Sequence, residues 1–300
     1  MKILVTGGTV FVSKYVARYF VEKGVDVYVL NRNTRPQVEG VKLVEADRHE
    51  LKDLLKDMSF DAVLDITAYD AQDITDLVKA LKDIKTYIML SSSAVYPEDE
   101  AMPFVEETPR RENKYWKRYG TDKIAAEDKL LELVPDAYIL RPPYLYGPMD
   151  NLYREAFVFD CAKGKRQFFL PNEGQMKLQF FHVRDLCRMI ENIIDLKPSE
   201  HIFNVGNPEA VTVKEWVELC YECVGTKPEF INVYEPIEQR NYFSFYGYEY
   251  MLDVSKQMKI LDDVTDLKEG LKEALDWYNE HASEVRKKPL LEFIDNNMRK

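Results

Sequence analysis

The sequence predicts an α/β protein: a doubly wound parallel sheet followed by a smaller α/β lobe. Two observations carry this. Strand-length apolar runs alternate with amphipathic helical stretches through the first half of the 300 residues, and several of those runs, such as Val27–Leu30 and Tyr87–Leu90, are apolar without alternation. Strands covered by helices on both faces have that continuous apolar character. Regular strand–helix–strand succession makes a parallel sheet with right-handed crossovers.

The runs are Lys2–Thr6, Asp26–Leu30, Lys42–Glu45, Ala62–Asp65, Tyr87–Ser91 and Ala137–Arg141. Helices are predicted between them over Phe11–Lys23, Leu51–Met58, Ala71–Ile84 and Lys117–Leu133. After Gly147 the rhythm changes. Helices are expected over Leu152–Ala162, Val183–Asp195, Val213–Val224 and Leu267–His281, with short strands at Gln179–Phe181 and Ile202–Val205. Tyr246, Tyr248 and Tyr250 alternate with Gly247 and Glu249, as in a strand lining a cleft or half-buried in the second lobe. The chain divides near residue 150. Residues 1–150 carry the sheet, residues 151–300 are mainly a second lobe with returns to the sheet near 179–206, and a cleft is expected between the two.

Composition bounds the function. Hydrophobic residues are 46% and charged residues 31%, as in a globular protein with a real core. Against 41 basic residues stand 52 acidic ones, a net charge of −11, which opposes sequence-blind binding of nucleic acid. Four cysteines do not make a disulfide scaffold, no secretory leader precedes the first strand, and no apolar stretch approaches the roughly 20 residues that cross a bilayer. A cytoplasmic protein with reduced thiols is expected. Cys220 and Cys223 have no second cysteine pair or histidine nearby in the sequence, so no metal site is predicted.

The first strand runs into Thr6-Gly7-Gly8-Thr9-Val10-Phe11-Val12-Ser13 and then a helix. A glycine-rich turn there points backbone N–H groups and the positive helix end at a phosphate. Such loops usually carry three glycines; here Gly7 can make the turn, Val10 takes the second place and Ser13 the third. At the end of the second strand an acidic residue would grip a ribose 2′-hydroxyl, whereas arginine suits a 2′-phosphate. Asn31 and Arg32 stand there, so the choice between NAD and NADP leans toward NADP.

The fifth strand ends in Ser91-Ser92-Ser93, and Tyr119-Gly120-Thr121-Asp122-Lys123 opens a later helix. A tyrosine and a lysine four apart share one helix face. The ammonium is expected to lower the phenol's pKa, making Tyr119 an acid/base for a substrate hydroxyl while hydride moves to or from nicotinamide, with Ser92 holding the same oxygen. Tyr19 and Lys23 have the same spacing, but they sit at the far end of the first helix, away from the strand ends where ligands bind. Pro109–Arg118 is basic and aromatic; it reads as a solvated lead into Tyr119, with steering of an anionic substrate as the alternative.

Taken in order, these motifs resemble the extended short-chain dehydrogenase/reductases of the NAD-dependent epimerase/dehydratase group, over nearly the whole length. Thr6–Ser13 is similar to that family's TGGTGFIG, and Leu140-Arg141-Pro142-Pro143-Tyr144-Leu145-Tyr146-Gly147-Pro148 to its LRPxNVYGP. Phe180–Leu186, Phe203–Gly206 and Asp253–Lys256 follow in the family's order. The resemblance implies a Rossmann-type dinucleotide domain and a nucleotide-sugar epimerase, dehydratase or reductase. It implies cofactor contacts at Gly7, Thr9, Val10, Phe11 and Val12, at Asn31, Arg32 and Asp47, and at Ile66, Thr67 and Ala68. Tyr119, Lys123, Pro142 and Tyr144 would complete them. It makes Ser92, Tyr119 and Lys123 catalytic and sets Ser93, Tyr144 and Gln179 against substrate. Pairing of two copies through the helices at Ala71–Ile84 and Lys117–Leu133 is expected by resemblance. The chain departs from the family pattern in three places. Val10 replaces a glycine, Leu178-Gln179 an Arg-Asp pair, and Tyr144 an asparagine. A related atypical branch, which includes chloroplast stem-loop RNA-binding proteins, makes a non-catalytic dinucleotide- or RNA-binding protein the alternative.

Overall fold

A computed structural model describes residues 1–299. Six strands of its sheet come from the first half: β1 (Lys2–Thr6), β2 (Asp26–Asn31), β3 (Lys42–Glu45), β4 (Ala62–Asp65), β5 (Tyr87–Leu90) and β6 (Tyr138–Arg141). Every residue of β4, β5 and β6 is buried, as their unbroken apolar character requires. Three helices connect them: α1 (Phe11–Glu22), α2 (Ala71–Ala80) and α3 (Arg118–Leu133). The second half begins with β7 (Tyr144–Tyr146), α4 (Glu155–Lys163), β8 (Phe168–Pro171), β9 (Lys177–Leu178), β10 (Phe180–His182), α5 (Val183–Leu196) and β11 (Ile202–Asn204). It ends with β12 (Val211–Thr212), α6 (Val213–Val224), β13 (Phe230–Val233), α7 (Leu267–His281) and α8 (Leu290–Asn297).

The sheet has seven strands in the order β11-β6-β5-β4-β1-β2-β3, all parallel, with Ile3 of β1 set between Val27 of β2 and Ala62 of β4. Helices α1 and α5 cover one face, α2 and α3 the other. From β1 the chain works outward to β3, then returns to start β4 on the other side of β1. The connections leaving β1 and β4 therefore diverge, and a crevice opens at their carboxyl ends. β11 comes from the second half and covers the edge of β6, which would otherwise expose unpaired backbone groups.

The second lobe is held by aromatic rings. Trp216 of α6 stacks on Phe180 at 5.6 Å and meets Phe245 edge-on at 5.2 Å. Around them α4, α6 and α7 pack together, with the parallel pair β8–β13 alongside. The parallel pair β7–β10 links this core to the sheet. Among the described residues no helix is long and apolar enough to cross a membrane.

Four expected elements differ; the helix expected over Ala71–Ile84 ends at Ala80, where Leu81 turns extended. Leu51–Met58 is a series of tight turns, not a helix. Lys52 has φ +45°, and the backbone bonds run three residues back (Leu54 N to Leu51 O, Met58 N to Leu55 O). Burial of Leu51 and Leu55 alone accounts for the helix-like spacing. The helix expected from Leu152 begins only at Glu155, and Tyr246–Tyr250 is irregular. Its tyrosines pack ring on ring (Tyr248 with Tyr250 at 5.3 Å) and form no strand.

Behind the carboxyl ends of β5 and β6 lies a buried ion pair. Arg141 donates to both oxygens of Glu127, at 2.9 and 2.6 Å, and Arg110 and Ser91 also donate to that carboxylate. Burial alone would push Glu127 up; the Arg141 guanidinium and these hydrogen bonds hold it below the usual glutamate value. Removing one member leaves an uncompensated buried charge, at a cost of about 3–5 kcal/mol. Arg141→Met should lower the urea unfolding free energy by about that amount, and adding Glu127→Leu should recover most of it.

Candidate active site

The glycine loop is shaped by what surrounds it. Gly7 (φ +89°) and Gly8 (φ +90°) hold a backbone conformation that L side chains rarely adopt. A Cβ on Gly7 would stand 2.8 Å from Ser13 Oγ and 2.9 Å from Thr67 Cγ2; one on Gly8 would stand 2.6 Å from a Val29 methyl. Asn31 Nδ2 donates to Gly7 O at 2.6 Å and to Gln37 Oε1 at 3.0 Å, tying the end of β2 to the loop. Val10 precedes α1 in extended conformation without capping it through a side chain, and no carboxylate stands in the first turn. Ser13 is buried and donates to Val10 O, so the small residue expected at the third place does the packing job. Free amides at a positive helix end, with no acidic neighbour in the turn, fit a diphosphate.

Beside the loop, Asp65 at the end of β4 is wholly buried. It accepts from Thr6 Oγ1 at 2.8 Å, Tyr87 OH at 2.6 Å and both terminal nitrogens of Arg48 at 3.2 and 2.9 Å. Arg48 also reaches Thr67 Oγ1 and Asp73 O, and Thr67 N donates to Thr6 Oγ1. This network fixes Ile66-Thr67-Ala68, and sequence reasoning missed both of its charged members. Asp47 caps the following turn by accepting from His49 N, with Arg32 3.8 Å away and largely exposed.

Helix α3 carries Tyr119 and Lys123. A Cβ on Gly120 would lie 2.4 Å from Ala94 O, so only glycine lets the first turn of α3 rest on the turn Ser93–Val95. Ser92 caps that turn, accepting from Ala94 N at 3.1 Å, and its hydroxyl is close enough to the Tyr119 phenol to favour its ionised form. Tyr119 is 40% exposed as a residue. One helical turn on, Lys123 is buried and donates to Ala68 O at 2.6 Å and Leu90 O at 2.8 Å, at the carboxyl ends of β4 and β5. Ser93 N donates to Pro142 O at 2.9 Å, which places β6's exit beside the same turn. The structure thus brings Ser92, Tyr119 and Lys123 together next to the loop.

The electrostatics differ from expectation. Although the residue as a whole is partly exposed, desolvation around its hydroxyl raises the Tyr119 phenol above its ordinary value, and Ser92 only partly offsets this. The expected lowering by Lys123 does not prevail. Its ammonium is committed to two carbonyls and stands 6.0 Å from the ring centre, while burial draws its own pKa down to about 8. Tyr19 and Lys23, the same motif in the wrong place, both bind Glu191 of α5.

A cavity of about 430 Å³ lies one ring away from Tyr119, which does not itself line it; Trp116, Tyr144 and Tyr246 form one side. Trp116 lies 6.3 Å from the Tyr119 ring and 6.3 Å from that of Tyr144. Tyr144 is buried, which pushes its phenol up to about 12, and Arg154 lies over its ring at 5.1 Å. The cavity's other residues include Arg154, Arg240, Arg286, Lys287 and Lys288. These cations were not recognised in the sequence; Arg286-Lys287-Lys288 is a basic run that could have flagged them. In contrast, much of the basic stretch before Tyr119 is spent in ion pairs: Arg110 with Glu127 and Asp128, Arg111 with Asp99 and Glu100, Arg118 with Asp122. Gln179 does not face this cavity. It is buried, with its amide satisfied by Asn207 O and by the backbone of Leu252, and it lines a second cavity of about 320 Å³.

Two outcomes are expected from this geometry. Gly120→Ala should cost about 1–3 kcal/mol in urea unfolding, because the new methyl meets a backbone oxygen that cannot retreat. Lys123 supplies a pH signature. Its folded value of about 8 lies below the ordinary 10.5, so between those values the unfolded chain holds more protons than the native one. Stability from this group is therefore missing below pH 8 and grows by up to about 1.4 kcal/mol per pH unit as pH rises through the window. Unfolding free energies of the native protein should gain on those of Lys123→Met between pH 8 and 10; parallel curves would show that the ammonium is not desolvated.

Comparison with known proteins places this arrangement. The model of the NAD dependent epimerase/dehydratase family matches residues 3–206. The chain is 28% identical over 299 residues to the chloroplast stem-loop binding protein of 41 kDa b of Arabidopsis thaliana, covering 90% of this chain and 77% of that one. It is 24% identical over 331 residues to a dTDP-4-dehydro-6-deoxy-D-allose reductase of a Streptomyces species, covering 93% and 96%. Its fold is similar to the crystal structure of UDP-glucose 4-epimerase with UDP-glucose from Thermotoga maritima, with a TM-score of 0.75 at 19% identity, covering 94% of this chain and all of that one. The chain belongs to the NAD-dependent epimerase/dehydratase family.

Proposed function

We propose that the protein oxidises or reduces a hydroxyl- or keto-bearing carbon of a nucleotide-linked sugar, with a nicotinamide dinucleotide as hydride partner. The observation that carries this reading is the convergence of Ser92, Tyr119 and Lys123 at the carboxyl ends of β4 and β5, beside a glycine loop that fits a diphosphate. Relatives support it: a protein named as a sugar reductase and others named as UDP-arabinose epimerases align over more than nine-tenths of this chain.

In this reading the bound cofactor supplies the hydride acceptor or donor. Tyr119 takes the proton as the substrate's O–H becomes a carbonyl and returns it in the reverse direction. Ser92 holds the same oxygen by hydrogen bonding. Lys123 fixes the first turns of α3 on the strand ends and thereby sets the position of the phenol. The raised pKa keeps the phenol protonated near neutrality but makes it a weaker acid, so the cavity must supply positive charge when the proton leaves. Arg154 is the cation whose field acts on Tyr119 in that sense.

NADP is the proposed dinucleotide. Asn31 gives its side chain to Gly7 and Gln37 and offers no carboxylate to a 2′-hydroxyl, while Arg32 is exposed at the strand end and loosely held. Pairing of two copies through α2 and α3 accompanies the reading by resemblance. The likeness to a stem-loop binding protein favours a second reading, RNA binding on the same fold; the net charge of −11 opposes it.

Tyr119→Phe should leave dinucleotide binding intact, read by quenching of tryptophan fluorescence, and reduce turnover of a nucleotide sugar by about 10²–10⁴-fold. Full turnover without the phenol would remove the proposed acid/base. Arg32→Ala should weaken NADP about tenfold and leave NAD unchanged, as for the loss of one phosphate contact of about 1.4 kcal/mol.

A further inference from the structure

The cavity one ring away from Tyr119 holds more positive charge than a diphosphate needs. Arg154, Arg240, Arg286, Lys287 and Lys288 line it, and no aspartate or glutamate does. Lys287 is compensated, its ammonium 2.7 Å from Asp160 Oδ2. Among the described residues no carboxylate forms an ion pair with the other four.

Two carboxyls stand behind Arg154, Asp150 and Glu155, both buried. Burial raises both, and the charge of Asp150 raises Glu155 further, so near neutrality the pair holds about one negative charge rather than two. Set against that one charge, Arg154, Arg240, Arg286 and Lys288 keep the wall net positive by about three charges; Glu238 contributes only the smallest of the fields acting on Arg240. Arg240 is half-buried; burial and the field of Arg154 act against its charge, and burial with Arg240 and Arg154 acts against that of Lys288. With 52 acidic residues in the chain, counter-charges were available, yet none lies in this wall. Like charges gathered in a half-closed cavity raise the free energy of the empty protein, and an entering anion relieves that repulsion.

A diphosphate bridge between a nucleoside and a sugar carries two negative charges. We propose that the substrate of this cavity carries at least three, the third on the sugar itself: a diphosphate-linked sugar acid. The proposal rests on the nucleotide-sugar reading above and narrows it. Arg154 is the residue placed to meet the third charge. It lies over the Tyr144 ring at 5.1 Å and is fixed by donating to Leu145 O at 3.1 Å, and the Trp116 ring lies 6.3 Å from both that ring and that of Tyr119. Arg286 and Lys288 are exposed and belong to the mouth of the cavity, on the side left to the diphosphate.

Calorimetric titration of the full chain tests this with matched pairs, UDP-glucose against UDP-glucuronate and GDP-mannose against GDP-mannuronate, so that the base is not presumed. In at least one pair the acid should bind at least about tenfold tighter than the neutral sugar, one charge contact's worth of affinity. Arg154→Gln should abolish that preference, while Arg240→Gln and Lys288→Gln should weaken acid and neutral sugar alike. Equal affinities within each pair, or a preference that survives Arg154→Gln, would overturn the inference and leave the nucleotide-sugar reading standing. No binding of any of the four at millimolar concentration would overturn both.

Discussion

Two hydrogen bonds from one ammonium hold the site together. Lys123 reaches across from α3 to the carbonyls of Ala68 and Leu90, and so fixes the helix to the ends of two adjacent strands. A buried ammonium is costly unless it is hydrogen-bonded and faces negative charge. Asp65, Glu127 and Asp73 provide that field, yet desolvation outweighs it and the group stays easy to deprotonate. The position of Tyr119, one turn earlier, follows from this anchor and from the absence of a side chain at Gly120. Neither constraint involves the substrate, so the phenol is placed before any ligand arrives.

The same lysine explains why two buried carboxylates flank it. Glu127, one turn further along α3, is locked by Arg141 of β6; Asp65, at the end of β4, is locked by Arg48. Each pair is bidentate, and each ties a strand end to a neighbouring segment. Pairs of this kind contribute little net stability compared with an apolar core, because desolvation offsets the attraction. Their effect here is geometric. They hold the ends of β4, β5 and β6 at fixed heights around Lys123, and the strand ends form the floor of the cleft.

This division between framework and ligand wall decides what could be read from the sequence. The sheet was legible because its strands are short apolar runs bounded by turns, and Tyr119–Lys123 was separable from Tyr19–Lys23 because strand ends locate the cleft. Leu51–Met58 was misread because two buried leucines four apart look the same on a helix and on a string of tight turns. Gln179 was assigned to substrate by its place in a family motif, whereas its amide is consumed by the backbone of Leu252 and Asn207. The cations of the cavity lie at positions 154, 240 and 286–288, on segments that meet only in the folded chain, so no local pattern joins them. Arg48 and Asp65 escaped for the same reason: each looks solvated in its own segment, and only the crossing of β3's exit over β4 makes them a pair.

A basic cavity inside an acidic protein also narrows the kind of anion that can use it. A nucleic acid presents a phosphate every few ångströms along its backbone, and a chain of phosphates crossing the surface of a protein of charge −11 meets repulsion over most of its length. A small anion does not. It feels the acidic exterior weakly at physiological salt, where charges more than about 8 Å apart are largely screened. Once inside, it faces guanidinium and ammonium groups in a confined volume, where their attraction is stronger than on an open surface. Trp116 and Tyr246, 5.3 Å apart, add apolar faces to the same wall. The contrast between exterior and cavity therefore favours a compact polyanion with a ring to bury over an extended one, and it does so by charge placement alone.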